Sequence, residues 1–301
     1  MVDDAAVELR AVTKQYGRTT ALDGLDLTVR RSEVFGLLGA NGAGKTTAVK
    51  ILLGLTRLSS GSGTLLGAPL GDATARTAVG YLPELFRYQG WLTGREVLQL
   101  HLRLAGLGRE TWAEEMSRAL ATADLERRAD SRVGSYSKGM QQRLGLAVAL
   151  LGRPALVVLD EPSTALDPLG RHELRGIIRG LREQGTSVLL NSHQLTEVEQ
   201  VCDRVAIIDR GRVLAIGALA ELLRSGGVRL RVTALSEAGR EALARHGPVD
   251  ADGAWLVVRD AVEEDVPQLV AAVVADGARV YGVELLHPSL EDRFRQLLGE
   301  P

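Results

Sequence analysis

Apolar residues follow two different repeats along this chain, and the changes between them outline the predicted elements. Strand-like runs fill the N-terminal segment, a helical repeat dominates the middle, and the two then alternate. The strand pattern covers residues 7–17, 25–39, 155–160, 186–193 and 203–209. The helical pattern covers residues 46–55, 170–184, 195–202 and most of 93–151, where Thr93 and Glu96 have the spacing of a capping box. Strands alternating with helices predict an α/β fold with a mostly parallel sheet.

The repeat is interrupted at Ser225, Gly226 and Gly227, which predicts a boundary between domains at 1–224 and 225–301. Beyond it the pattern predicts strands at 228–235, 254–260 and 278–286, and helices at 236–247, 266–277 and from Ser289, where Asp292 completes a cap. Elements in this order predict a small α+β domain, with a ferredoxin-like arrangement as one candidate.

Composition excludes several classes of protein. The 301 residues carry 36 basic and 38 acidic side chains, a net charge of −2, so we expect no nucleic-acid partner, which would favour a basic excess. The single cysteine, Cys202, cannot form an internal disulfide bond. The longest apolar stretch, 144–159, is interrupted by Arg153 and is shorter than the roughly 20 residues of a membrane span. The acidic N-terminus does not resemble a signal peptide, so we expect a cytoplasmic location.

A glycine-rich segment after the second predicted strand matches a phosphate-binding P-loop in full. It lies between a buried strand and a helix, where backbone N–H groups can surround an anion. Lys45 is expected to reach the β- and γ-phosphates of a nucleotide, and the Thr46 hydroxyl to bind Mg²⁺. The predicted nucleotide-binding residues here are Gly39, Ala40, Asn41, Gly42, Ala43, Gly44, Lys45, Thr46 and Thr47.

Two carboxylates, Asp160 and Glu161, follow the predicted strand at 155–160. Ligands of open α/β sheets bind at the carboxyl ends of strands. Asp160 is therefore expected to hold Mg²⁺ opposite Thr46, and Glu161 to act as the general base on the attacking water. Together with the P-loop, these residues predict a P-loop NTPase.

Residues 136–143, Tyr-Ser-Lys-Gly-Met-Gln-Gln-Arg, resemble the signature sequence of ABC-type ATPases. Ser137, Gly139 and the Gln-Gln-Arg end are retained, whereas Tyr136, Lys138 and Met140 depart from the usual residues. The resemblance implies the ABC ATPase fold, with a β-subdomain and an inserted helical subdomain at about 90–150. It also implies a homodimer around two ATP molecules, in which Ser137 and Gly139 approach the γ-phosphate bound by the other copy.

The same resemblance assigns roles to four further residues. Asp167 lies in the segment that couples the two ATP sites, and His193 stands where the family contacts the γ-phosphate and holds Glu161 and the water. Tyr16 matches the aromatic residue that stacks on adenine, although a strand aromatic in the core is an alternative. Glu84 stands where most of the family has a glutamine that contacts Mg²⁺ and the water, unless the alignment shifts there.

An aromatic cluster surrounds Glu84. Tyr81, Phe86, Tyr88 and Trp91 fall where transporters of this family bind a short helix of the membrane subunit. Aromatic side chains suit such an anchor because they bury a large area with few rotatable bonds. The alternative is a local core beneath the helical subdomain.

The tail at 287–294 and the segments around Glu84 and Ser137 resemble ATPase subunits of type-2 ABC exporters. The resemblance implies an ATP- and Mg²⁺-dependent ATPase that drives a separate membrane permease from the cytoplasmic face of the membrane, with a tail that regulates or supports the dimer. An importer ATPase is one alternative. A soluble ABC ATPase acting on ribosomes or DNA is another, although the segment between Lys45 and Ser137 leaves no room for a long coiled coil.

Overall fold

The computed structural model describes residues 5–223, 227–286 and 289–298, and the side chains of the last helix as far as residue 295. The chain divides into two compact units, 1–218 and 219–301. The predicted boundary at 224/225 falls on residues outside the described ranges, as do His287 and Pro288 at the start of the tail resemblance.

An antiparallel sheet opens the first unit. Its strands are β1 (Ala5–Tyr16), β2 (Thr19–Arg30), β4 (Ser60–Leu65) and β5 (Ala68–Pro69), in the order β2-β1-β4-β5. The prediction of one strand at 25–39 was wrong, because a turn after Arg30 separates β2 from β3 (Val34–Leu38), which belongs to another sheet. Ser32 has a φ of 56° in this turn, and nothing in the apolar repeat on either side marks it.

The second sheet is mostly parallel and carries the predicted α/β core. It contains β3, β6 (Val79–Leu82), β7 (Leu156–Asp160), β8 (Ser187–Asn191), β9 (Arg204–Asp209) and β10 (Arg212–Ala218), in the order β10-β9-β3-β8-β7-β6. Only β10 runs antiparallel to its neighbour. Every residue of β3, β7 and β8 is buried, as expected for strands covered on both faces. The accompanying helices are α1 (Lys45–Leu52), α2 (Ala73–Thr77), α6 (Pro168–Glu183) and α7 (Leu195–Val201).

Three helices lie between β6 and β7 in the chain and form the predicted helical insertion: α3 (Gly94–Leu104), α4 (Trp112–Thr122) and α5 (Lys138–Ala149). They share a core of their own that includes Leu98, Leu120 and Leu144. The capping box at the start of α3 is confirmed, because Thr93 accepts a hydrogen bond from the Glu96 N–H and Glu96 accepts one from the Thr93 N–H.

The second unit is an α+β domain of the predicted kind. After α8 (Leu219–Leu222) it contains β11 (Gly227–Val232), α9 (Glu237–Ala244), β12 (Val249–Asp252), β13 (Trp255–Val258), α10 (Val266–Ala275), β14 (Val280–Leu286) and α11 (Leu290–Leu298). The antiparallel order β12-β13-β11-β14 is that of a ferredoxin-like split βαβ fold. Sequence reasoning missed β12 because three of its four residues are exposed and it lacks an apolar repeat.

The predicted cap of the last helix is present. Ser289 Oγ accepts a hydrogen bond from the Asp292 N–H at 3.1 Å, while the Asp292 carboxylate accepts one from the Ser289 N–H at 2.8 Å. Across the described parts of both units, no helix combines the length and the apolar character needed to span a bilayer.

Candidate functional site

The residues predicted to bind phosphate or Mg²⁺ or to activate water lie at the carboxyl ends of four neighbouring parallel strands. In the order β3-β8-β7-β6, these strands lead into the P-loop, the segment with His193, the Asp160–Glu161 pair and Glu84. Because parallel strands end at the same edge of the sheet, segments far apart in sequence meet there. The topology therefore brings the predicted site residues of the sheet together.

Gly44 fixes the shape of the P-loop at the point where α1 begins. It has a φ of 109°, and a Cβ atom at this position would lie 2.6 Å from the carbonyl oxygen of Ala21. Only glycine tolerates both the left-handed backbone and this contact. Within the loop, the Ala43 N–H donates to the Ala40 carbonyl at 3.1 Å. The turn thus leads directly to the N-terminus of α1, whose N–H groups favour an anion.

Lys45 is buried, with 7% of its surface exposed. Its Nζ donates hydrogen bonds to the carbonyl oxygens of Gly39 at 2.6 Å and Ala40 at 3.2 Å. Burial lowers the pKa of Lys45, and the negative charges of Glu161, Asp160 and Glu84 oppose that shift. One cation therefore faces three carboxylates at this edge of the sheet.

Asp160 is 3% exposed and accepts a hydrogen bond from the side-chain amide of Asn191. Burial raises the pKa of Asp160; the charges of Glu84 and Glu161 add to this, and the Asn191 hydrogen bond and Lys45 oppose it. In the neighbouring strand β6, burial together with the negative charge of Asp160 raises the pKa of Tyr81 to about 12.

The side chains around Asp160 are of the kinds that bind Mg²⁺. Mg²⁺ is usually bound by one or two carboxylates together with water and substrate phosphates. The buried carboxylates repel one another, which is the charge distribution that a divalent cation offsets, and Thr46 is exposed on the first turn of α1. The described residues contain no cluster of three or more His, Cys, Asp or Glu that could hold a metal without such a substrate. Asp160, Thr46 and Glu84 therefore fit a metal that arrives with a nucleotide.

Glu161 and His193, the predicted general base and the predicted γ-phosphate contact, are in direct contact. One Glu161 oxygen, Oε1, lies 2.8 Å from His193 Nδ1 and accepts the His193 backbone N–H at 2.9 Å. The Glu161 N–H donates to the Asn191 carbonyl at 2.9 Å, and the backbone of Glu161 is left-handed, with a φ of 50°. The other oxygen, Oε2, is buried and has no hydrogen-bond partner in the described part of the protein. This arrangement leaves one fixed carboxylate oxygen free to accept a proton.

The signature segment begins α5. Ser137 Oγ accepts the Met140 N–H at 3.2 Å and so caps the helix, and Ser137 itself is exposed. A Cβ atom on Gly139 would meet nothing closer than 3.8 Å, so the backbone there is open to approach. Sequence reasoning assigned no role to Gln142, whose buried side chain donates to the Pro162 carbonyl at 3.0 Å and joins α5 to the loop after Glu161.

Asp167 and Tyr16 have local contacts of their own. The Asp167 carboxylate accepts the Gly170 N–H at 2.8 Å and caps α6, a contact that the sequence resemblance did not predict. Tyr16 ends β1 with 47% of its surface exposed, and Lys14 Nζ lies 4.7 Å from the centre of its ring. The alternative that Tyr16 is a core aromatic was therefore wrong, because its ring is accessible.

The aromatic cluster after β6 divides into a packed part and an exposed part. The Phe86 and Tyr88 rings are 5.3 Å apart, and Tyr88 also meets His101 edge to face at 5.7 Å. Trp91 is 71% exposed, and the neighbouring Leu85 is 86% exposed. Phe86 and Tyr88 therefore pack locally, whereas Trp91 and Leu85 face outward, and contact with a permease stays a prediction.

Comparison with known proteins identifies the family of this chain. The ABC transporter family profile matches residues 22–164. The chain is 37% identical to the daunorubicin resistance ATP-binding protein DrrA2 of Streptomyces coeruleorubidus, over 99% of this chain and 96% of that protein. The chain belongs to the ATP-binding proteins of ABC transporters. Members of this family bind and hydrolyse ATP, and the P-loop edge of the sheet remains the predicted place where this chain binds it.

One further relative and one solved structure are also similar to this chain. Over 73% of each chain, the protein is 40% identical to the Nod factor export ATP-binding protein I of Burkholderia lata. Its fold also resembles the ATP-binding cassette MJ0796, whose dimer was solved in a post-hydrolysis state bound to ADP and Pi. That similarity has a TM-score of 0.64 and an identity of 25%, and covers 71% of this chain and 98% of the cassette. The ABC ATPase fold is thus confirmed for the first unit.

Proposed function

We propose that this ABC ATP-binding protein is the ATPase subunit of an exporter, and that it dimerises around two Mg²⁺-bound ATP molecules and drives a separate membrane permease. The observation that carries the catalytic part is the Glu161–His193 contact of 2.8 Å beside buried Asp160 and Lys45. The permease would hold the ATPase at the cytoplasmic face of the membrane.

The geometry supports in-line attack of water on the γ-phosphorus. Glu161 Oε1 is held by His193, so Oε2 is the oxygen that takes the proton of the attacking water. Lys45 lies at the P-loop, where its charge offsets the charge on the β- and γ-phosphates. When bound, Mg²⁺ supplies charge neutralisation of the phosphates, and Asp160, Thr46 and Glu84 would hold it. Positioning and electrostatic stabilisation then account for the reaction.

A single copy provides only part of this site. Exposed Ser137 at the N-terminus of α5 and the open backbone of Gly139 offer N–H and hydroxyl donors to a phosphate. In the proposed head-to-tail dimer they serve the ATP bound by the other copy. The dimeric MJ0796 cassette supports this arrangement by similarity.

The choice of an exporter rests on the named relatives. One is named a Nod factor export ATP-binding protein and another a daunorubicin resistance ATP-binding protein, and the second aligns along nearly the whole chain. An importer subunit remains the alternative within transporters, and a ribosome- or DNA-associated ATPase the alternative outside them. The acidic balance of the chain favours a transporter over a nucleic-acid partner.

Glu161→Gln tests the catalytic part. The variant is expected to bind ATP and remain trapped as a dimer, with turnover reduced by about 10²- to 10⁴-fold, the usual contribution of a general base. Light scattering with and without ATP measures the dimer, and phosphate release measures turnover. The matched control is Glu33→Gln, because Glu33 is as buried as Glu161 but pairs with Arg204 instead. Normal hydrolysis by Glu161→Gln would remove Glu161 as the base.

Co-purification tests the transport part. We would tag the chain in its native host, extract it with a mild detergent, and identify proteins present in stoichiometric amounts. A multi-span membrane protein is expected, and its recovery should fall in a Leu85→Ala, Trp91→Ala variant, because both exposed side chains lie in the segment proposed to contact the permease. Recovery of ribosomes or DNA instead, unaffected by these substitutions, would contradict the exporter proposal.

A further inference from the structure

Asn191 occupies a position in the sheet that ties together the two carboxylate residues of the ATP site. It is the last residue of β8 and lies opposite Asp160 in the parallel register with β7. Only 1% of its surface is exposed. Burying a carboxamide at the end of a buried strand costs free energy unless its polar atoms form hydrogen bonds.

The contacts of Asn191 separate into a side-chain part and a backbone part. Its Nδ2 donates to Asp160 Oδ1, and its carbonyl oxygen accepts the Glu161 N–H at 2.9 Å. The backbone contact survives any substitution at 191 that preserves the strand. The side-chain contact acts on Asp160 alone, which makes its role separable by mutation.

The orientation of the amide follows from the charge that it faces. Were the amide reversed, its oxygen would meet the carboxylate oxygen of Asp160, and two acceptors cannot share a bond without a proton. The NH₂ group must therefore face Asp160. This leaves Asn191 Oδ1 on the other side, buried and without a hydrogen-bond partner in the described part of the chain. Glu161 Oε2 is likewise buried and has no hydrogen-bond partner among the described residues.

We propose that Asn191 is a positioning residue for the metal carboxylate: its NH₂ group fixes Asp160 Oδ1 and so leaves Oδ2 available to hold the Mg²⁺ that would arrive with ATP. The inference rests on the proposed Mg²⁺–ATP function. Asn191 itself touches neither the nucleotide nor the ion. It acts as outer-shell partners of metal ligands do, by restricting the orientation of the ligand.

Loss of the amide leaves the backbone of Asp160 in place, because β7 pairs with β6 on one side and with β8 on the other. The carboxylate is then misoriented while the strand that carries it is retained.

The test measures metal dependence rather than turnover. Binding of a fluorescent, non-hydrolysable ATP analogue to the full chain is titrated in EDTA and then with increasing Mg²⁺. Asn191→Leu removes the amide but keeps a side chain of similar branched shape, and we expect about a 10- to 100-fold rise in the Mg²⁺ concentration for half-maximal effect, the usual cost of losing an outer-shell partner. Affinity in EDTA should stay at the wild-type value, because Asn191 does not contact the nucleotide.

A matched control separates positioning from strand stability. Ser187 begins the same strand, is also 1% exposed, and accepts a hydrogen bond from the Ser32 N–H at 3.0 Å. Ser187→Ala therefore removes a buried polar contact from β8 at the end away from the site, and its Mg²⁺ dependence should match that of the wild type. If the larger side chain of Asn191→Leu prevents folding, Asn191→Ala removes the same donor without added bulk and should shift Mg²⁺ dependence in the same direction.

The outcomes distinguish this inference from the function on which it rests. A folded Asn191→Leu or Asn191→Ala variant with wild-type Mg²⁺ dependence would overturn the positioning role. An equal loss in EDTA and in Mg²⁺, shared by Ser187→Ala, would also overturn it, since that pattern indicates a general structural effect. If the wild-type chain binds the analogue without any response to Mg²⁺, the proposed function itself fails.

Discussion

His193→Ala removes one of the two hydrogen bonds that hold Glu161 Oε1. The Nδ1 contact of 2.8 Å is lost, whereas the backbone N–H of residue 193 still donates to the same oxygen at 2.9 Å. A hydrogen bond to a charged group contributes about 1.5 to 3 kcal/mol. At about 1.4 kcal/mol for each tenfold change in rate, kcat should fall roughly 10- to 150-fold. The retained backbone contact is the reason to expect a smaller loss than in Glu161→Gln.

The assay is steady-state phosphate release at saturating Mg²⁺ and ATP, with ADP affinity measured in parallel. ADP affinity should not change, because the contact acts on the base and the γ-phosphate. His246→Ala is the matched control: His246 Nδ1 lies 3.2 Å from Asp265, so a comparable His–carboxylate contact is removed from the second unit instead of the first. That variant should hydrolyse ATP at the wild-type rate.

A double variant examines whether the two residues act as one unit. If His193 works through Glu161, the combination of His193→Ala with Glu161→Gln should be no slower than Glu161→Gln alone. Full multiplication of the two losses would refute the reasoning, and so would a wild-type rate in His193→Ala.

Three further predictions follow from other parts of the first unit. Gly44→Ala should abolish ATP binding in an equilibrium assay and lower the melting temperature, because its Cβ would lie 2.6 Å from the carbonyl oxygen of Ala21 in β2; wild-type affinity would contradict the loop geometry. Glu84→Gln removes a negative charge that acts on both Lys45 and Asp160, so ATP affinity should rise and hydrolysis should persist; an inactive variant would show that the carboxylate itself is needed. Glu115→Gln should lower the free energy of unfolding by about 2 kcal/mol at neutral pH: burial raises the pKa of Glu115, but hydrogen bonds from two arginines and a backbone N–H outweigh it and lower the pKa. Since a lowered pKa stabilises the fold above the unfolded-state value and the contribution disappears as pH falls through the folded-state value, the difference between variant and wild type in urea unfolding should shrink in acid, and a constant difference would refute this.

Local signals in the sequence were sufficient wherever the interaction is itself local. The P-loop, the Thr93–Glu96 capping box and the Ser289–Asp292 cap each depend on residues a few positions apart, and each is present as predicted. The alternating repeats likewise identified the α/β core and the α+β tail, because burial of one face or two imposes the repeat directly. Where the repeat carries no information, as at the turn near Ser32 or in polar β12, prediction failed.

The sequence by itself therefore determined the family and most of the helices and strands, since these depend on short motifs and on hydrophobic periodicity. The residues that bind ATP remain predictions from the same motifs. Only the tertiary structure decided which side chains meet. The pairing of Asp160 with Asn191 depends on the register between β7 and β8, and the contact of Gln142 with Pro162 depends on how α5 packs. Tertiary packing also decided which aromatic side chains after β6 are buried: Tyr88 packs against His101, whereas Trp91 is exposed. Register and packing are set by many distant residues acting together, so no short stretch of sequence contains them.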